Sequence, residues 1–453
     1  MTGSQDEVIE FLSDPRSYGG DQPVERIETH CSIVFLVGDF AYKLKRALRY
    51  SSLDYTTCEL RRRACEAELR LNRRTAPDMY LGVRSIARRS SGALIFDGSR
   101  PALDHVVVMR RFAQSDLLDA VADRGDLTPE LARALGHAVA EFHLVAQPRP
   151  DRGGRAAIAR VIADNERELA KVAAELDGPA VATLSGWARR AVNAVAPLLE
   201  QRRVDGKVRC CHGDLRLANI VLVGNRPTLF DGIEFSDEIS CIDVLYDLAF
   251  LLMDLLLRER ADLANIVFNA YLDVAPESEG LRALSLFLAL RAATRSYALA
   301  GGATRRTPRE GARLLALAHR HVEAGIAFLS PRRPMLIALG GDIEQMTLDS
   351  AASLAALAAP APGARILRSA DLSAAVPILR AGCSVLVAGR FIDPAERAAV
   401  IGVAARQDVP LLQLWSGSAV DASNWQGIDL AQGASGTLAS VAPLISAKQG
   451  RNG

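Results

Sequence analysis

The run His212-Gly213-Asp214-Leu215-Arg216-Leu217-Ala218-Asn219, followed twelve residues later by Asp231, constrains this chain more than any other stretch. Between Asn219 and Asp231, an apolar segment (220–223), turn residues (224–227) and a second strand-like segment (228–230) predict a β-hairpin. A hairpin returns its two ends to one sheet edge, so Asn219 and Asp231 are expected side by side. Two oxygen ligands in that position suit a hard dication that keeps several waters, such as Mg2+. Asp214 is placed to accept a proton from an attacking hydroxyl. This is the order of groups that ATP-dependent phosphoryl transfer requires. A lone His-Gly-Asp arises often by chance; the same motif with a hairpin of the right length and an Asp at its exit does not.

Composition narrows the class. With 453 residues, two or three domains are expected, and 49% hydrophobic content is ample for packed cores. A net charge near +1 argues against nucleic-acid binding driven by bulk charge. Runs such as Arg61-Arg62-Arg63 read as solvated helix faces. Seven cysteines, with no C-x-x-C pair and no metal-ligand spacing, suit a reducing, cytoplasmic setting. The N-terminus has neither a basic nor an apolar leader region, so no signal peptide is expected. The longest apolar stretch, 244–257, is broken by Asp247 and Asp254 and reads as a buried helix, not a membrane span.

Along the chain, residues 6–20 predict a short amphipathic helix ending at Gly19-Gly20. Residues 31–37 and 40–44 predict a hairpin, and 56–74 have helical spacing. Segments 83–87, 93–96 and 105–110 read as strands, and the last leads into Arg110-Arg111-Phe112 as a hinge. Residues 116–203 and 243–329 are helical in pattern, with Thr128-Pro129-Glu130 as a start signal. The linker Ser330-Pro331-Arg332-Arg333-Pro334 precedes strands at 335–339, 384–388 and 409–415 and helices at 350–358 and 394–407, a βαβ pattern that implies a parallel sheet. The expected divisions are 1–112, 113–330, the linker 331–334, and 335–453.

Further segments join the motif: Thr29-His30-Cys31-Ser32, Tyr42-Lys43-Leu44-Lys45, Glu68-Leu69-Arg70-Leu71-Asn72, Tyr80-Leu81-Gly82-Val83 and Cys241-Ile242-Asp243-Val244-Leu245-Tyr246-Asp247-Leu248-Ala249. Together they resemble the aminoglycoside phosphotransferase family, a small-molecule branch of the protein-kinase-like fold. The resemblance is nearer to a bacterial two-domain subgroup with a C-terminal P-loop ATP-binding module. It implies an α+β two-lobed protein-kinase-like domain followed by a smaller α/β parallel-sheet P-loop-like domain.

The resemblance also implies roles. A small-lobe lysine pairs the nucleotide phosphates and a helix glutamate holds it; Lys43 or Lys45, with Glu68 or Glu66, fill these places, Lys43 and Glu68 being favoured. Asp214 is the base, with His212 supporting its loop or acting beside it. Asn219 and Asp231 are the metal ligands. No G-x-G-x-x-G loop precedes the lysine, so the hairpin segment from Thr29 to Ser32 would cover the phosphates, and the adenine would lie near the hinge from Met109 to Phe112, with Met109, Arg110 and Ser32 as nucleotide contacts. Glu234 is placed in a supporting or substrate-contacting role, and Asp243 and Asp247 as structural acids. Arg291 and Arg295, one helical turn apart, present a candidate site for an anionic acceptor or an ordinary ion-paired face.

The C-terminal module departs from the P-loop pattern. A strand and Gly340-Gly341 are in place, but Asp342-Ile343-Glu344-Gln345-Met346-Thr347-Leu348 supplies neither the second glycine nor the lysine of GxxxxGK[ST]. Arg365-Ile366-Leu367-Arg368-Ser369, the segment Phe391 to Arg397 and Asp421-Ala422-Ser423 still resemble the subgroup. A non-hydrolysing module, serving as a stabilising appendage or as a surface for a homo-oligomer or protein partner, is the expectation. Two functions follow: an ATP- and Mg2+-dependent kinase acting on a small-molecule hydroxyl acceptor, or a nucleotide-binding pseudokinase with a regulatory role. Neither nucleic acid nor membrane is an expected partner.

Overall fold

A computed structural model describes residues 5–50, 53–303, 306–341, 348–416, 425–428 and 433–449. They fall into two compact units: Met1–Asp126 with Cys210–Cys241, and Leu127–Arg209 with Ile242–Gly453. The segment that carries the motif therefore belongs with the N-terminal residues.

The first unit is built on a six-stranded antiparallel sheet in the order Glu25–Glu28, Ser32–Val37, Phe40–Lys45, Ala102–Arg110, Tyr80–Arg88, Leu94–Phe96. Alternation along the strands sorts their side chains to two faces. Ile33, Phe35, Tyr42, Leu44, Val106 and Val108 pack under Val8 and Leu12 of the helix Asp6–Ser13. Fully burying a side chain such as Phe35 or Leu44 contributes about 1.5–3 kcal/mol. Leu36, Ala41, Val107 and Met109 face the other way, toward Cys65 of the helix Cys58–Asn72. Glu25–Glu28 escaped the sequence reading because its composition, Glu-Arg-Ile-Glu, shows no apolar alternation; a charged, exposed edge strand of this kind resists pairing with other chains.

The helix Cys58–Asn72 starts where Thr57 accepts the Leu60 N–H at 3.2 Å. Its buried stripe, Arg61, Ala64, Cys65, Glu68 and Asn72, follows helical spacing but carries two charges. Arg61 is matched by buried Asp104, at 2.8 Å; Glu68 is matched at the site described below.

The motif hairpin pairs Ile220–Val223 with Arg226–Leu229. Its turn is two residues, not four. Gly224 and Asn225 have φ of 54° and 62°, the left-handed pair that a tight hairpin turn requires. Pro227 had marked the second strand's start as loop; it is accommodated opposite Leu222 in a two-stranded ribbon.

The second unit has helices including Pro129–Val145, Gly154–Lys171, Val244–Leu257, Ala261–Val274, Leu284–Ala303 and Pro308–Leu329. A five-stranded parallel sheet follows, in the order Arg365–Arg368, Val385–Ala388, Leu336–Gly341, Leu411–Ser416, Gln426–Ile428. Its central strands are near-continuous apolar runs, as sheets covered on both faces require. The two outer strands escaped the sequence reading, one bounded by arginines and one only three residues long. Buried Asn265 and Asn269 of the helix Ala261–Val274 hold the edge strand: Asn265 donates to the Ala364 carbonyl at 3.0 Å and Asn269 accepts the Ile366 N–H at 2.8 Å.

At the end of the strand Leu336–Gly341, a Cβ on Gly340 would lie 2.8 Å from the Trp415 ring and 3.0 Å from that of Trp425. Phe391 completes this aromatic cluster, its ring centroid 5.4 Å from that of Trp425. The run 342–347 and Asp421-Ala422-Ser423 lie outside the described residues. Among the described residues no helix is long and apolar enough to cross a membrane.

Candidate active site

Period-2 geometry puts Lys43 and Lys45 on one face of the strand Phe40–Lys45, the face that also carries Ala41. They meet Glu68, which the buried stripe of Cys58–Asn72 aims at the sheet. Glu68 Oε1 accepts from Lys43 Nζ at 2.8 Å; its Oε2 meets Lys45 as an ion pair without hydrogen-bond geometry. Each lysine has a second acid: Asp231 for Lys43 and Glu234 for Lys45. The Tyr55 hydroxyl donates to Glu234 at 2.6 Å.

Burial alone would push both ammonium groups toward neutrality. Asp231 and Glu68 beside Lys43, and Glu234 and Glu68 beside Lys45, outweigh it and hold both well above the ordinary lysine value. Burial likewise raises the Glu68 carboxyl, and the two lysines overcome it, holding the group well below the usual carboxylate range. Lys43, Glu68 and Lys45 thus hold one another in their ionised forms.

These groups open into a cavity of ≈ 450 Å³, in the range of small-ligand sites. Ile27, Val34, Leu36, Ala41, Met109, Leu117 and Phe230 supply apolar wall; Lys43, Lys45, Arg111, Asp214, Asp231 and Glu234 supply charge. Thr29, His30, Cys31 and Ser32 form one rim. There the Thr29 hydroxyl accepts the Ser32 N–H at 3.0 Å, closing a tight turn between two strands.

The motif loop holds its acid from two sides. Arg216 grips Asp214 through Nε at 2.8 Å and Nη2 at 2.9 Å, and Asn219 Nδ2 donates to the same carboxylate at 2.8 Å. Gly213 has φ of 86°, and a Cβ there would press on Ile233 and the Ile239 carbonyl at 3.1 Å. The His212 Nε2–H donates to the Phe230 carbonyl at 2.8 Å, tying the loop to the hairpin exit. Asp231 then turns left-handed, with φ of 60°; its N–H donates to the Tyr80 hydroxyl at 3.1 Å. For a non-glycine residue that conformation costs on the order of 1 kcal/mol and persists where its surroundings hold it.

The structure thus brings Lys43, Asp214, Asp231, Ser32 and Met109 to one cavity, with Glu68 directly behind Lys43. His212 is buried and is not a cavity-lining residue; its Nε2–H is committed to the hairpin exit. Arg110 is exposed and does not line the cavity, because strand alternation turns it outward; Arg111 and Phe112, the rest of the expected hinge, do line it. Glu66 lies on the solvent face of its helix with Arg62, so Glu68 alone reaches the lysines. Asn219 commits its amide nitrogen to Asp214, which leaves its amide oxygen as the atom it can offer an ion. Asp231 is 43% exposed at the side chain and lines the cavity, whereas Asn219 is buried and does not line it; both offer oxygen, the ligand type Mg2+ takes.

Arg291 is not available as an acceptor ligand. It is buried, its guanidinium 3.8 Å from the Tyr246 ring centroid and 4.6 Å from that of Phe250. Asp243 caps Val244–Leu257 and is held by Arg202. Asp247 is buried against His143, at 3.2 Å.

Four contributors had escaped the sequence reading: Arg216, Tyr80, Asn72 and Tyr55. Arg216 stood two residues from Asp214 in the motif itself, and Asn72 one turn after Glu68. For Tyr55 and Tyr80 no local signal exists, since their partners lie more than 150 residues away.

Residues 62–287 match the model of the phosphotransferase enzyme family. Uncharacterized proteins of Mycobacterium tuberculosis and Mycobacterium bovis are 32% identical over 285 residues, covering 61% of this chain and 55% of each relative. The chain thus spans about half the length of the curated relatives it matches. Among solved structures, a choline/ethanolamine kinase family protein from Mesorhizobium loti has a TM-score of 0.39 at 17% identity, covering 72% of this chain and 98% of its own. A mutant aminoglycoside 2′-phosphotransferase IIIa in complex with GDP has a TM-score of 0.41 at 15% identity, covering 72% and 100%. Likenesses at these scores carry no argument about activity. On the family match, and with the motif loop and its hairpin inside the matched segment, the chain belongs to the phosphotransferase enzyme family.

Proposed function

We propose that this protein transfers the γ-phosphoryl group of ATP to a hydroxyl of a small molecule, with Mg2+ as cofactor. The observation that carries the reading is the convergence of Lys43, Asp231 and Asp214 on one cavity with an apolar wall. In such a transfer the transition state is loose, and the protein's task is positioning and charge neutralisation. Asp231 and Asn219 are the residues that would hold Mg2+, which when bound would neutralise charge on the phosphates. Lys43, kept ionised by Asp231 and Glu68, would present its ammonium to phosphate oxygens. Asp214, gripped by Arg216 and Asn219, has a fixed carboxylate to orient the acceptor hydroxyl and receive its proton. The apolar wall around Met109, Val34 and Phe230 suits the face of a purine ring.

The C-terminal parallel sheet plays no part in this chemistry. Supporting that are the missing P-loop lysine and the aromatic rings packed on Gly340. A stabilising role fits the asparagine contacts to its edge strand. The proposed divisions remain a kinase-like N-lobe (1–112), C-lobe (113–330) and degenerate P-loop-like domain (335–453), in a cytoplasmic protein.

One observation favours the second reading, a nucleotide-binding pseudokinase. Each of the two candidate catalytic carboxylates is paired with a cation, Asp214 with Arg216 and Asp231 with Lys43. A phosphorylation screen of a metabolite pool with labelled ATP separates the two. Label transfer by the wild type, lost in Asp214→Ala, supports the kinase; nucleotide binding with no transfer to any pool supports the regulator.

A further inference from the structure

We infer that Lys45, Glu234 and Tyr55 are positioning residues that hold the segment Asp231 to Glu234 in its left-handed turn. The kinetic part of this inference rests on the function proposed above; the structural part does not.

Lys43 and Lys45 share one strand face but not one environment. Both line the cavity, but their side chains are 12% and 3% exposed, so Lys45 lies deeper. Glu68 divides its two oxygens between them. One lysine would satisfy a single Lys–Glu pair. The second serves Glu234, whose side chain is 5% exposed and which also accepts from Tyr55. Without Lys45, the carboxylates of Glu68 and Glu234 would share a buried region with one cation fewer, which disfavours ionising both.

Glu234 stands three residues beyond Asp231, at the far end of the turn that Asp231 begins. Between them the Gly232 N–H donates to Asn72 Oδ1 at 2.8 Å and the Ile233 N–H to the His212 carbonyl at 2.9 Å. Asn72 itself donates to the Glu68 carbonyl, one turn back on the same helix, at 2.9 Å. The turn is therefore fastened directly to the helix that carries Glu68 through Asn72, and at Glu234 through Lys45, which itself pairs with Glu68. Asp231 can present its carboxylate to the cavity only while that turn persists. Glu234 supplies the charged anchor at its far end, and Lys45 is what permits a carboxylate to be buried there.

The test is amide hydrogen exchange on the full chain, for the wild type, Lys45→Met, Glu234→Gln, the double variant, and Tyr55→Phe as the mildest. Each of the first two should speed exchange at 231–233 by about tenfold or more, with 106–109 of the central strand unchanged. The double variant should exchange no faster than the faster single, because both break one linkage. Tyr55→Phe should act in the same direction and less. With Mg-ATP and an identified acceptor, kcat should fall while the acceptor KM stays constant. Unchanged exchange at 231–233 in Lys45→Met and Glu234→Gln would overturn the inference. So would an equal rise across 106–109, which would make Lys45 a general fold support. Should the wild type phosphorylate nothing, the proposed function fails, and the exchange result still decides this inference.

Discussion

The cavity of the first unit and the end of the strand Leu336–Gly341 in the C-terminal sheet both lie beside a sheet, yet they are furnished oppositely. The cavity keeps a row of charges, Asp231, Lys43, Glu68, Lys45 and Glu234, each touching its neighbour, around open space. At the C-terminal sheet, Gly340 has its open side closed by the rings of Trp415 and Trp425. Buried charge is costly to maintain and is tolerated when paired; packed aromatic rings stabilise by exclusion of water. One region thus spends stability to keep a polar space, and the other gains stability by filling one. The first behaves as a site and the second as a core.

That contrast can be broken at several points. The largest effect should come from Asp214→Ala, which should lower kcat by about 10²–10⁴ and leave nucleotide affinity within a few-fold, measured by steady-state kinetics and titration. A C-terminal substitution with a comparable kinetic effect would erase the distinction. In the aromatic cluster, Trp415→Ala should cost about 3–5 kcal/mol of stability by denaturant unfolding, with nucleotide binding to the folded protein unaltered. Binding that disappears while the fold persists would make the C-terminal sheet a second site.

In the cavity, Glu68→Gln should destabilise by about 3 kcal/mol, because it leaves each of two buried ammonium groups with one acid instead of two. The nearby Glu66→Gln should stay within about 0.5 kcal/mol, its carboxylate being half exposed. Equal effects at the two positions would contradict the assignment of Glu68.

The pH dependence is the subtlest. Glu68 is held below its ordinary 4.5, so its contribution is complete above that pH and fades as pH falls toward its folded value. Lys43 and Lys45 are held above 10.5, so theirs is complete below that pH and fades as pH climbs through the folded values. Wild-type stability should therefore lose this contribution on both flanks. Lys45→Met should lose stability at neutral pH and show a weaker alkaline decline.

Much of the site could be read from sequence because its parts are local. Asp214 and Asn219 sit in one motif, and hairpin geometry carries Asp231 to it. Lys43 and Lys45 could not be separated, since alternation puts both on one face; only the depth of each side chain and its second acid distinguish them. Arg110 was misplaced by a single residue, the margin at which a strand reverses its faces. The Tyr80 and Tyr55 contacts depend on tertiary closure, and no spacing rule reaches that far. In the fold, long periodic helices were legible, whereas the charged edge strand Glu25–Glu28 and the short strand Gln426–Ile428 lacked the pattern that identifies a strand.

The most direct measurement is a thermal-shift titration with ATP, with and without Mg2+, on the wild type and Asp231→Ala. If the cavity holds a metal–nucleotide complex through Asp231, the wild type gains stability that requires Mg2+, about 2.7 kcal/mol at a hundredfold excess over Kd, and Asp231→Ala does not. An equal gain without Mg2+, or in Asp231→Ala, would contradict it.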